Sequence, residues 1–118
     1  MKTADQTFIE AFKKAQEALG LVHFRTTFEA VTALDAYATI QRNSVDCTAH
    51  VKFNPQMMER DKVLVSTAVH EVAHLLVQDL RWSAATAPEH IADTEDERIA
   101  SRLEPLLLKA IFPNIKQK

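Results

Sequence analysis

Glycine is almost missing from this chain of 118 residues, where Gly20 is the only one. A loop that cradles phosphate through closely spaced glycines is excluded by that count. Cysteine is as scarce. Cys47 stands alone, so no internal disulfide can form, which agrees with a reducing, cytoplasmic setting. No apolar run approaches the ~18 residues needed to span a bilayer. The opening segment, Met1 to Lys14, has no continuous apolar stretch of the kind that marks a secretory leader. Neither sign of charge dominates: 14 Lys and Arg stand against 16 Asp and Glu, a net charge of −2. That balance offers no electrostatic case for nucleic acid or an anionic membrane as partner. Internal repeats and low-complexity stretches are absent as well.

What is present suits a packed core. Hydrophobic residues make up 47% and charged residues 25%, and the length fits a single domain over residues 1–118. Phe8, Ile9, Phe12, Ala15 and Leu19 recur at helical spacing, which predicts a helix from about Asp5 to Leu19. Asp5 or Thr7 is placed to cap its start, and Gly20 to stop it. Between residues 21 and 53 the period changes to two. Val22, Phe24, Thr26 and Phe28 alternate with polar neighbours, as do Val45, Cys47, Ala49, Val51 and Phe53. These runs, with Tyr37 to Gln41, predict a small, mainly antiparallel sheet of about three strands. Arg42-Asn43-Ser44 is the expected turn, and Asn54-Pro55 ends the last strand.

From about Arg60 to Leu80 the pattern is helical and so apolar that the helix should be buried on most sides. Residues 81–90, with Pro88, read as a loop. A last helix is expected from about Asp93 to Phe112, its apolar face made by Ile99, Ala100, Leu103, Leu106, Leu107 and Ile111, with a kink or break at Pro105. The fold class is therefore α+β: an N-terminal helix, a small sheet, a buried helix and a C-terminal helix.

The buried helix carries one polar stripe: Thr67, His70, Glu71, His74, Gln78 and Arg81. Unpartnered polar groups in an apolar setting are costly, so this stripe requires an explanation. His70 and His74 stand at i and i+4, about one turn apart, where two imidazoles can reach one metal ion. Glu71 is displaced around the helix, beside that ion, where it can take a proton from metal-activated water. The plainer alternative is a pair of core histidines satisfied by neighbouring polar groups.

The run Thr67-Ala68-Val69-His70-Glu71-Val72-Ala73-His74-Leu75-Leu76 resembles the extended HExxH signature of the zincin metallopeptidases. It has the threonine three places before the motif, uncharged residues inside it and an apolar residue after it. The resemblance covers roughly residues 35–108 and implies a minimal zincin-like, gluzincin-like domain that binds Zn2+ and hydrolyses peptide bonds in a protein or peptide substrate. The metzincin variant is excluded, because Val77 and Leu80 occupy the positions where it needs glycine and histidine. A third ligand must come from Glu89, His90, Asp93, Glu95, Asp96 or Glu97. Glu97-Arg98-Ile99-Ala100-Ser101-Arg102-Leu103 is similar to the ligand helix of ImmA/IrrE-like and small phage-encoded metallopeptidase-like proteins, which implies Glu97 as ligand and a phage or bacterial origin. The match departs at Glu104-Pro105, where that group continues with apolar residues. Glu95 is the reserve, Asp96 falls nearest the apolar face, and Thr94-x-x-Glu97 has the spacing of a helix cap instead.

The resemblance also implies that an edge strand beside the motif helix holds extended substrate, with Val45 to Phe53 as the candidate. His90 is placed to stabilise an oxyanion or simply to face solvent. His23 and His50 are expected to face solvent, Tyr37 either to donate to a transition state or to pack, Cys47 to be a small buried hydrophobe and Trp82 to cover an edge of the core. A reading from another class is a non-catalytic zinc module, structural or regulatory. Glu71 distinguishes the two, since a purely structural site has no use for a carboxylate beside its ligands.

Overall fold

The computed structural model describes residues 2–43, 45–83 and 93–114, of which 81–83 and 93–96 as backbone alone. The architecture is α+β. Helix α1 (Ala4–Ala18) precedes strands β1 (Arg25–Ala30), β2 (Ala38–Asn43) and β3 (Thr48–Phe53), followed by helices α2 (Asp61–Ser83) and α3 (Asp93–Ile111). No helix among the described residues is long and apolar enough to cross a membrane.

Helix α1 starts one residue earlier than its apolar pattern suggests, and Thr3, not Asp5 or Thr7, caps it. The Thr3 hydroxyl accepts from the Gln6 amide at 3.2 Å and the Gln6 side chain accepts from the Thr3 amide at 2.9 Å, a reciprocal capping box. At the other end Gly20 has φ +70°, the left-handed turn that favours glycine. The Gly20 amide then donates to the Glu17 carbonyl and the Leu21 amide to the Gln16 carbonyl. The buried Gln16 side chain continues the turn, donating to the carbonyls of Leu21 and Phe24 at 2.9 Å each. It thereby aims the chain into β1.

The sheet order is β1-β3-β2. β3 runs parallel to β1 and antiparallel to β2, so the sheet is mixed and the expectation of a mainly antiparallel one is corrected. The reason lies in the connection from β1 to β2. It passes the end of β3 and leaves room for β3 to return between them. Buried Asn54 secures that passage. Its side-chain amide donates to the Thr32 and Leu34 carbonyls at 3.1 and 3.0 Å, and its main-chain amide donates to Tyr37 at 2.8 Å.

β3 is consequently the central strand, not the edge strand assigned to substrate from Val45 to Phe53. The edges are β1 and β2, and β2 is the one that packs beside α2. Two strand starts also shift. Val22 and Val45 are exposed, and the regular alternation begins only at Arg25 and Thr48. Cys47 sits in the turn before β3 with φ 52° and is half-buried, so it is not part of the strand face.

One face of the sheet is dry. Ala49, Val51 and Phe53 from β3 join Phe8, Ala11, Phe12 and Ala15 of α1 and Leu64, Ala68, Val69, Val72 and Leu75 of α2 in one core. The Phe8 and Phe53 rings stack with centroids 4.4 Å apart, and Phe12 meets Phe28 edge-on. The opposite face carries Arg25, Thr27, Glu29, Thr48, His50 and Lys52, none of them buried. There His50 bonds Thr27 and Glu29, and at the surface beside α2 His23 bonds Asp79.

Helix α2 is buried on most sides, as its composition demands, and it extends to Ser83, so 81–83 are helical and not loop. Pro88, His90 and the rest of 84–92 lie outside the described residues, and so do the side chains of Arg81, Trp82, Asp93, Glu95 and Asp96. Helix α3 runs through Pro105 without a break. Its buried side differs from the expected stripe: Ala100 and Leu108 are buried, Leu103, Leu107 and Ile111 half-buried, and Ile99 and Leu106 exposed.

Candidate metal centre

Helix α2 presents His70 and His74 one turn apart, both on its least buried side. Their Nε2 atoms lie 3.2 Å from each other. Helix α3 packs against α2 and brings Glu97 to both of them. Glu97 Oε1 is 2.9 Å from His74 Nε2, and Oε2 is 3.0 Å from His70 Nε2. Ligand atoms of the three residues fall within 4.8 Å of one another, a group able to hold a metal ion. Two donors of a tetrahedral zinc are separated by about 3.3 Å for bond lengths near 2.0–2.1 Å, so the observed spacings need little adjustment. Two imidazoles and one carboxylate suit a borderline cation such as zinc.

Glu97 does not spend its carboxylate on capping α3. Both oxygens meet imidazoles, and Oε2 also accepts from the Ser101 hydroxyl at 3.0 Å. Burial pushes the Glu97 carboxyl up, but the Ser101 bond and the two imidazoles outweigh it and hold the group below its ordinary value.

Glu71 occupies a different environment. It is 6% exposed, and burial raises its pKa above the ordinary value, against the pull of His74, His70 and Arg42. It nevertheless opens on a cleft lined also by Tyr37, Ala38, Thr67, His70 and Glu97. Arg42 of β2 closes in from the sheet and donates to the His74 main-chain carbonyl at 3.0 Å.

Two participants, Glu104 and Arg42, escaped the sequence reading. Glu104 accepts from His70 Nδ1 at 2.8 Å and lines the same cleft. In metal-free protein this bond is the chief reason His70 is pushed up to about 9, with Glu97 and Glu71 adding to it and burial opposing it. The signal was available: Glu104 stands seven residues after Glu97, two helical turns, and so shares its face. Arg42, read as part of a turn, ends on α2. Tyr37, read either as a transition-state donor or as packing, is 47% exposed and lines the cleft. Compared with protein-family models, with curated proteins and with solved structures, the chain matches none of them.

Proposed function

We propose that this chain is a zinc-dependent metallopeptidase with a minimal zincin-like fold. The observation that carries this reading is the convergence of His70, His74 and Glu97, two of which, His70 and Glu97, line a cleft that Glu71 also lines. Three protein ligands with an open side are the arrangement of a catalytic zinc, whereas a structural site closes its fourth position with protein. The buried carboxylate of Glu71 adds to the case, because a purely structural module would bear the cost of burying it without return.

His70, His74 and Glu97 would hold the zinc. When bound, it polarises the peptide carbonyl and makes water a stronger acid. Glu71 takes a proton from the attacking water as the water oxygen bonds to the carbonyl carbon. It returns that proton to the amide nitrogen as the C–N bond breaks, leaving a carboxylic acid and an amine. Tyr37 stands at the cleft to contact substrate. Extended substrate lies along β2, the edge strand next to α2, whose described pairing is with β3 alone.

Elemental analysis of purified wild type and His74→Ala tests the metal, with about one zinc per chain expected in the first and none in the second. A peptide-hydrolysis screen with Glu71→Gln as control tests the reaction. Zinc held normally, with no hydrolysis by wild type of any peptide or unfolded protein, would favour a non-catalytic zinc module.

A further inference from the structure

Two carboxylates of α3, Glu97 and Glu104, approach the His70 ring from opposite edges. Glu97 lies at Nε2, the edge shared with His74, and Glu104 lies at Nδ1, 2.8 Å away. Glu104 therefore stands on the far side of the ring from the point where the three ligand atoms meet. It belongs to the same helix face as Glu97 and Ser101, so one rigid element sets all three positions. The Glu104 side chain is only 30% exposed and that of His70 16%, which keeps water from competing for the bond.

We propose that Glu104 is a positioning residue for the metal centre: it holds the proton of His70 on Nδ1 and leaves Nε2 as the ligand atom. An imidazole can present either nitrogen, and the hydrogen bond made by one decides which carries the metal. A carboxylate acceptor makes that bond charge-assisted, and so stronger and more directional than a carbonyl would. It also makes the imidazole a better donor to a cation. The inference rests on the metal reading of the site, and it assigns to Glu104 a part that the departure from the resembled pattern at Glu104-Pro105 gave no reason to expect.

The test is zinc affinity, measured by competition with a chromophoric chelator on wild type, Glu104→Ala, Glu104→Gln and the exposed control Glu17→Gln. Loss of an outer partner of a ligating histidine typically weakens metal binding about 10–100-fold. That range is expected for Glu104→Ala, with a smaller loss for Glu104→Gln and none for Glu17→Gln. Nitrogen-15 spectra of the zinc-loaded wild type should show His70 protonated at Nδ1 and metallated at Nε2, with Glu104→Ala giving a mixed pattern. Zinc affinity within twofold of wild type in both Glu104 variants overturns the proposal. A loss as complete as that of His74→Ala also overturns it, by making Glu104 a ligand. Should Glu104→Ala fail to fold, the isosteric Glu104→Gln decides alone. A folded wild type that takes up no zinc sinks the metal reading itself, a result distinct from either of the others.

Discussion

Arg42 and His74 are joined across 3.0 Å, the guanidinium of the edge strand donating to the main-chain carbonyl of the motif helix. The bond ties the strand that forms one wall of the cleft to the helix that carries the imidazoles. Arg42 also pulls the Glu71 carboxyl down. Replacing it with methionine removes both effects. Thermal and urea unfolding should show a loss of about 1.5–3 kcal/mol, the usual worth of a hydrogen bond to a charged group. The acid limb of kcat/KM should move to higher pH, since Glu71 then holds its proton longer. An unmoved acid limb would separate Arg42 from the base.

Metal-free His70 has its pKa pushed up to about 9, against about 6.5 in an unfolded chain. Its contribution to stability is therefore present in full below about pH 6.5 and is lost as pH rises through 9. Metal-free wild type should lose urea resistance over that window, and His70→Gln should not. Metal binding at Nε2 must displace the extra proton. Zinc uptake at pH 7.5 in a weak buffer should release close to one proton on account of His70, and affinity should rise with pH until about 9. Uptake without proton release would contradict the charged state of His70.

Glu71 is buried at the cost of its charge, and its pKa is raised for that reason. Glu71→Gln keeps the shape and removes the charge. It should retain zinc, abolish hydrolysis and raise the melting temperature of the metal-free protein. A variant that melts lower than wild type would mean that the carboxylate is stabilised where it lies.

Asn54 holds the passage from β1 to β2 with its side chain and main chain. Asn54→Ala removes the two bonds that the side-chain amide makes to the carbonyls of exposed Thr32 and half-buried Leu34. Equilibrium denaturation should show a loss of about 1–3 kcal/mol, given roughly 0.5–1.5 kcal/mol for each hydrogen bond removed.

The helices were legible because a dry face recurs every three or four residues, as Phe8, Ala11, Phe12 and Ala15 do in α1, or because the run is apolar throughout, as in α2. His70, Glu71 and His74 could be found for the same reason: all three sit within two turns of one element. Sheet order was not legible. Alternation in Thr48 to Phe53 records which side of the strand is dry, not which strand lies beside it, so a central strand and an edge strand read alike. Cys47 fits the alternation and yet leaves it, because its left-handed backbone is set by the turn and not by its side chain. Glu104 entered the reading only as a departure from the resembled pattern, beside Pro105, where a kink or break was expected. The helix continues there, and only the packing of α3 on α2 gives Glu104 a partner.

His74 and Glu97 are 23 residues apart in sequence and belong to separate helices. A cation gripped by both fastens the chain to itself, much as a cross-link does. Closing a loop of that length takes about 3 kcal/mol of entropy from the unfolded chain. Metal occupancy would then govern how firmly the C-terminal helix stays docked, and a chelator would act first as an agent that loosens α3, before the remainder of the core gives way.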